Sequence, residues 1–266
     1  MHMFHDVLVS FAERRVISME NAKIKIAAQT YNLWRTPLNV LGKLQVIKTL
    51  GYDGAELAGF NGETYEGVSA ADLKEEIKRL DIDICGAHIP YKNFEMYMDN
   101  IIAYHQKLGV HWVAIPRPVV ENKADMDALI ANIQKYAGQL RLAGLDLYYH
   151  CHDFEFKAFE GQTTMERILS ETDVMIEVDV FWAAKGGCDV KQFLKDHADR
   201  IIYLHMKDTD DEDNSCAVGD GHADCAAYCQ MAKEMGLTHI VVEDDLQKPD
   251  GITSICRSIH ALKKMM

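Results

Sequence analysis

The chain has 266 residues, of which 48% are hydrophobic and 26% charged, a composition typical of a globular protein with ample material for a core. Its 28 Lys and Arg against 41 Asp and Glu give a formal net charge of −13, which disfavours binding to nucleic-acid phosphates. The absence of any apolar run of about 18 residues argues against a transmembrane helix, and seven cysteines without CxxC spacing indicate reduced thiols in a cytoplasmic protein.

The first 22 residues, MHMFHDVLVSFAERRVISMENA, differ from the rest of the chain. Their short apolar stretch lacks a basic leader before it and a small-residue cleavage site after it, so it does not resemble a secretory signal. We interpret residues 1–22 as a poorly ordered or helical extension, with Met19 as a candidate natural start. Residues 23–266 are predicted to form a single domain.

From Lys23 onward, short apolar runs alternate with longer amphipathic segments, which indicates βαβ units and a parallel sheet. The eight predicted strands are Ile24–Ala28, Asp53–Leu57, Ile82–His88, Trp112–Ile115, Leu145–His150, Val174–Asp179, Ile201–His205 and His239–Glu243. The helical stretches are Leu38–Leu50, Ala70–Leu80, Phe94–Leu108, Met126–Ala143, Thr164–Ser170, Val190–His197, Cys225–Met235 and Ile252–Leu262.

Four of these helices are followed by a glycine and then by the next strand, at Gly51, Gly109, Gly144 and Gly236. Glycine just past a helix adopts the left-handed conformation that ends it, so each position marks a helix-to-strand joint. The chain has eight strand–helix units and lacks a Gly-rich phosphate loop after the first strand. The sequence therefore predicts a closed (β/α)8 TIM barrel rather than an open doubly wound sheet.

Barrel enzymes place reactive groups at the carboxyl ends of their strands. Nearly every predicted strand ends in a group that can coordinate, titrate or donate a hydrogen bond: Gln29, Glu56, His88, Arg117, His150 with His152, Asp179, His205 with Lys207, and Glu243. Side chains two residues apart in a strand share one face. His150 should therefore share a face with His152, Glu177 with Asp179, and His205 with Lys207.

The densest cluster lies in the segments YYHCHDFEF, IEVDVFW, YLHMKD and VVEDD. Two imidazoles and two carboxylates suit Zn²⁺, Mn²⁺ or a similar divalent ion. A single strand-end histidine is more often structural, and a single carboxylate often caps the next helix. Four such groups on consecutive strands are harder to explain in that way, so we expect one metal site.

The ordered runs HCHDFEF, EVDVFWAAKGG, HMKD, VGDG and VVEDD resemble the sugar phosphate isomerase/epimerase group of xylose isomerase-like TIM barrels, within the AP endonuclease-like superfamily. The resemblance extends from Lys25 to the end of the chain. It implies a single divalent ion held by a strand-five residue, a strand-six Asp, a strand-seven His and a strand-eight Glu. The corresponding residues are His150, Asp179, His205 and Glu243.

The chain departs from the family at the strand-five position, where ketose epimerases have a Glu that serves as a second acid/base. This chain has His150 there, and Glu155 in the same segment is an alternative. Two-base epimerisation is therefore in question, whereas one-base isomerisation or loss of water remains open. The family also contains dehydratases and hydratases of keto-sugars and inososes.

The resulting hypothesis is a metal-dependent isomerase or epimerase that abstracts a proton next to the carbonyl of a sugar or keto-sugar. The alternative is a dehydratase or hydratase; a carbohydrate-binding barrel without activity and a DNA-repair endonuclease are less favoured.

Glu243 is the expected general base, with His152 and Lys207 stabilising the developing oxyanion. The expected substrate contacts are His88, Glu56, Arg117 and Trp182, with apolar faces also from Trp34 and Phe60. No Gly-rich phosphate loop is visible, which favours a non-phosphorylated substrate, and a homo-oligomer is compatible with the sequence.

Overall fold

The computed structural model describes residues 23–266, which form a closed barrel of eight parallel strands surrounded by helices. Each strand pairs with the next along the chain, and the eighth closes the sheet against the first. The strands are β1 (Lys25–Gln29), β2 (Gly54–Ala58), β3 (Asp83–His88), β4 (Trp112–Ile115), β5 (Asp146–His150), β6 (Met175–Asp179), β7 (Ile201–Met206) and β8 (His239–Val242). The predicted TIM barrel is confirmed, and each predicted strand boundary lies within one residue of the observed one. The extension predicted for residues 1–22 lies outside the described residues, so the domain boundary at residue 23 stays a prediction.

The helices follow the strands on the outside of the barrel, and none of those described is long and apolar enough to span a membrane. They are α1 (Val40–Thr49), α2 (Ala70–Leu80), α3 (Tyr91–Met96), α4 (Met98–Leu108), α5 (Lys123–Leu142), α6 (Thr164–Glu171), α7 (Val180–Lys185), α8 (Val190–Asp196), α9 (Cys225–Glu234) and α10 (Gly251–Met265). The helix predicted over Phe94–Leu108 is instead two helices that meet at Tyr97. Helix α7 was not predicted, because six residues are too few to show a helical period.

The glycines that follow four of the helices have the expected left-handed backbone. Their φ values are 89° at Gly51, 88° at Gly109, 77° at Gly144 and 66° at Gly236. Since residues with a Cβ adopt this conformation at a cost, glycine at these joints lets the chain turn directly from helix into strand. The joints place all eight strands in the same direction, so their carboxyl ends meet at one mouth of the barrel.

The barrel interior is packed below that mouth by a small apolar cluster separate from the core between sheet and helices. One of its two tyrosines is Tyr148, which is fully buried and whose hydroxyl hydrogen-bonds Glu56. Two strands away, on β3, lies Gly86, where an added Cβ would clash with the Tyr148 hydroxyl oxygen. Tyr148 therefore forms the floor beneath the polar mouth, and it fits because residue 86 has no side chain.

This packing predicts that Gly86→Ala destabilises the protein, since overfilling a close-packed core costs about 1–3 kcal/mol. Gly138→Ala is the matched control, because Gly138 lies inside helix α5 and an added Cβ there meets nothing within 4 Å. We expect that variant to be more stable by about 0.4–1 kcal/mol. Urea unfolding of both variants measures the difference, and equal stability of the two would contradict the described packing.

Candidate active site

Four of the strand-end side chains converge at the mouth of the barrel, and we call them the upper ligand group: His150, Asp179, His205 and Glu243. Each is buried, and one donor atom from each lies within 4.8 Å of the others. His205 Nδ1 is 3.3 Å from Glu243 Oε2 and 3.9 Å from Asp179 Oδ2, and His150 Nε2 is 4.0 Å from Asp179 Oδ2. Ligands around a tetrahedral zinc ion lie about 3.3–3.6 Å apart, so these atoms are spaced to close on one ion.

The charges around this group also fit a divalent ion. Lys207 is fully buried, and its Nζ lies 2.9 Å from Asp179 Oδ2, 2.8 Å from Glu243 Oε2 and 2.8 Å from Asp245 Oδ2. With His205 as a neutral ligand, three carboxylates against one ammonium leave two negative charges, which one divalent cation would neutralise. Asp179 Oδ1 caps helix α7 through the backbone NH groups of residues 181 and 182, whereas its buried Oδ2 faces the Lys207 ammonium and the upper ligand group. The residues thus fit the ion that the sequence implies.

Burial and charge set the protonation of these carboxylates. Burial raises the pKa of Asp179 to about 6, although Lys207 and His205 act in the opposite direction. Burial likewise raises the pKa of Asp245. For Glu243, Lys207 and His205 outweigh burial and hold the pKa well below its ordinary value. Glu243 is therefore ionised at neutral pH, as both a metal ligand and a general base require.

A second polar layer lies directly beneath the upper ligand group and contains Glu56, Glu177 and His88. His88 Nε2 is 2.8 Å from Glu177 Oε2 and 3.1 Å from Glu56 Oε2. Burial lowers the pKa of His88, but the two carboxylates outweigh it and raise that pKa to about 9. Glu56 is fully buried, with one oxygen bonded to Tyr148 and the other to Gln29 and His205.

The mouth opens into a cavity of about 560 Å³, within the range of small-molecule sites. Its lining residues are Tyr31, Ala58, Gly59, His88, Pro90, Tyr91, Lys92, Pro116, Arg117, Pro118, Val119, His150, His152, Glu243 and Asp245. Of the predicted site residues, His88, Arg117, His150, His152 and Glu243 reach this wall. Asp179 and His205 are fully buried beneath it.

Three residues predicted to act directly on the substrate are absent from that wall. Glu56 lies in the lower layer with both oxygens engaged, and Lys207 is enclosed by its three carboxylate partners. Trp182 packs beside His152, with ring centroids 5.6 Å apart. The expectation that Phe60 offers a face to the sugar is wrong, because Phe60 is fully buried against Tyr65 and Tyr104.

His152 lines the cavity, and one nitrogen of its imidazole ring, the buried Nδ1, lacks a hydrogen-bond partner among the described residues. Burial and then Lys207 lower its pKa to about 2, so the imidazole is neutral at working pH. Its backbone NH donates to Glu155 Oε2 over 2.8 Å, and Glu155 Oε1 accepts from the Tyr149 hydroxyl over 2.7 Å. Glu155 therefore lies behind β5, and the structure does not bring it to the upper ligand group.

Arg117 is held over the cavity by its backbone. It lies between Pro116 and Pro118 and has a φ of 30°, a left-handed value that non-glycine residues adopt at a cost. No role was predicted for Tyr148 or Asp245. The period of two predicts the inward face of Tyr148, which precedes His150 by two residues in strand β5. Asp245 lies beyond the end of β8 at Val242, where strand periodicity gives no signal.

The fold and the polar mouth define a (β/α)8 barrel whose chemistry lies at the carboxyl ends of its strands. The profile of the xylose isomerase-like TIM barrel family matches residues 44–263, and the chain belongs to this family. Among curated proteins, none matches it by sequence.

Solved structures share the barrel at low sequence identity. A sugar phosphate isomerase/epimerase from Parabacteroides distasonis ATCC 8503 superposes with a TM-score of 0.78 at 23% identity, covering 91% of this chain and 94% of that one. The IOLI protein, with a bound zinc atom, gives 0.72 at 17% identity over 91% and 98% of the chains. The 3-keto-D-glucoside 4-epimerase YcjR from E. coli gives 0.69 at 17% identity over 91% and 100%. At such identities the likeness establishes the fold.

The geometry predicts that Asp179→Ala and His205→Ala each abolish metal binding, because each removes one of four converging donors. The zinc content, measured by elemental analysis after zinc loading, should fall from about one ion per chain to near zero. His222→Ala is the control, since its side chain is 60% exposed on a loop outside the ligand group. Full zinc occupancy in either test variant would show that the substituted residue is not a metal ligand.

Proposed function

We propose that the protein is a metal-dependent isomerase or epimerase that removes a proton next to the carbonyl of a sugar or keto-sugar. The observation that carries the proposal is the position of Glu243, which belongs both to the upper ligand group and to the cavity wall. A base at that position lies beside any carbonyl drawn to the ion. The sugar isomerases and epimerases among the structural neighbours support the same reaction class.

His150, Asp179, His205 and Glu243 would hold the divalent ion, which supplies Lewis-acid polarisation of the substrate carbonyl when bound. Glu243, ionised because Lys207 and His205 lower its pKa, accepts the carbon-bound proton. Its position directly after strand β8 fixes the direction of proton transfer. Lys207 acts by neutralising the carboxylates that the site needs, rather than by contact with the substrate.

His152 and Arg117 stabilise the negative charge that develops on the substrate oxygen. His152 lines the cavity, and its neutral imidazole can donate a hydrogen bond to that oxygen from the ring nitrogen that carries the proton. Arg117 presents a guanidinium from the loop after the neighbouring strand β4, where it lies between two prolines. His88, charged by its carboxylate partners, adds a further cation to the wall.

The distribution of carboxylates on the wall favours one-base chemistry. Within residues 23–266, the acidic residues that line the cavity are Glu243 and Asp245, and both follow strand β8. A substrate between the walls would meet a carboxylate on one face only. Aldose–ketose isomerisation requires one base, as does loss of water from a keto-sugar. Dehydration or hydration therefore remains the second candidate, with Glu243 as base and His152 assisting the departing hydroxyl.

Glu243→Gln should reduce turnover by about 10²–10⁴-fold, the usual contribution of a positioned base. The variant should stay folded and retain metal, because an amide oxygen can still coordinate. The screen covers aldoses, ketoses, keto-glycosides and inososes with the zinc- and manganese-loaded protein. Wild-type activity in this variant would show that another group removes the proton.

Turnover in heavy water distinguishes the reaction types. One-base isomerisation should place deuterium on a single face of one carbon, and dehydration should release water with formation of a deoxy-keto product. Deuterium at both epimeric configurations would require a second base and would contradict the arrangement argued from the cavity wall.

A further inference from the structure

The lower polar layer shows an unusual concentration of imidazoles on one oxygen atom. Glu177 Oε2 lies 2.8 Å from His88 Nε2, 3.0 Å from His150 Nδ1 and 3.2 Å from His205 Nε2. Glu177 is fully buried, and its other oxygen, Oε1, has no hydrogen-bond partner among the described residues. The carboxylate is therefore held in place through the three imidazoles.

Two of these imidazoles also belong to the upper ligand group, and each spans the two layers. His150 turns Nδ1 down to Glu177 and Nε2 up towards Asp179. His205 turns Nε2 down, 2.8 Å from Glu56 Oε2, and Nδ1 up towards Glu243 and Asp179. The two rings thus present opposite nitrogens to the upper ligand group.

An ionised carboxylate can only accept hydrogen bonds, so the nitrogen that faces it must carry the proton. The proton on His150 then lies at Nδ1 and leaves the Nε2 lone pair free. A proton at Nε2 of His205 leaves Nδ1 as its ligating atom. A metal-binding histidine needs its second nitrogen fixed in this way, because the wrong tautomer offers an N–H to the ion instead of a lone pair.

We infer that Glu177 is a positioning residue that sets the ligating tautomer of His150 and, together with the closer Glu56, that of His205. The inference deepens the proposed function, since it rests on the upper ligand group as the metal site. Glu177 touches neither the substrate nor the ion. Its one engaged oxygen, Oε2, contacts both ligand imidazoles, so a change at Glu177 affects both of them.

The same layer could alternatively hold a second ion, since His88, His150, Glu177 and His205 also cluster closely enough. The distances from Glu177 Oε2 to the ring nitrogens, 2.8–3.2 Å, are those of hydrogen bonds and fall below the separation of about 3.3–3.6 Å around a tetrahedral ion. Two ions would also require both shared imidazoles to lose their second ring proton. The observations therefore favour a hydrogen-bonded layer beneath one ion.

The test uses zinc-loaded, full-length protein labelled with ¹⁵N at histidine. In the wild type, NMR should show a proton at Nδ1 of His150 with zinc on Nε2, and the reverse at His205. Zinc titration should saturate at one ion per chain. A proton at Nε2 of His150, or binding of two zinc ions, would overturn the inference without any variant being made.

Glu177→Gln provides the second measurement. Loss of this carboxylate from the lower polar layer should weaken zinc binding by about 10–100-fold and give mixed tautomers at His150. Glu155→Gln is the matched control, because Glu155 is also a fully buried carboxylate but bonds Tyr149 and the backbone of residue 152 rather than a ligand imidazole. Zinc affinity should be unchanged there.

If Glu177→Gln binds zinc with wild-type affinity and His150 keeps a single tautomer, Glu177 has only a structural role. Both readouts are independent of any sugar reaction. Failure of the positioning role and failure of the proposed function therefore give different results. A protein with the expected tautomers but without turnover would contradict only the function.

Discussion

Four carboxylates, Glu56, Glu177, Asp179 and Glu243, are buried at one end of a closed barrel, and their neutralisation is the constraint on which the site depends. Burying unpaired charge is costly, so a fold that concentrates carboxylates must supply cations or protons beside them. The chain does so with His88 at the end of strand β3, which lies between Glu56 and Glu177, and with His205 and Lys207 on strand β7 and its extension. The arrangement is stable only because residues distant in sequence meet at the mouth.

The two layers meet this constraint differently, and the difference is consistent with the proposed chemistry. In the lower layer, imidazoles satisfy Glu56 and Glu177 through hydrogen bonds. In the upper layer, Lys207 leaves two negative charges that suit a divalent ion. A ligand group supported in this way has little freedom to reorient, which is what a Lewis-acid site and a directed base require. The apolar floor at Tyr148 keeps both layers at the mouth.

Much of the site was predictable because strand ends and the period of two are local properties. His150, Asp179, His205 and Glu243 converge as expected, and His152 and Arg117 reach the cavity. Glu56 and Lys207 do not reach it, since a strand-end position indicates the face of a side chain but not whether another side chain already occupies its polar atoms. Glu155 illustrates the same limit: its carboxylate is directed to Tyr149 by the turn after β5, which no periodicity describes.

The sequence by itself determined the eight strand–helix units, the glycine joints between them and the chemical identity of the groups at the mouth, because these follow from local hydrophobic patterns and backbone preferences. The tertiary structure decided which nitrogen of each histidine faces upward, which carboxylates are buried and which polar atoms remain unpaired. Glu56 and His205 lie 149 positions apart in the chain yet bond over 2.8 Å. Contacts of this kind arise only when the barrel closes, since closure brings strands β2 and β7 across from one another, and no local pattern encodes that distance.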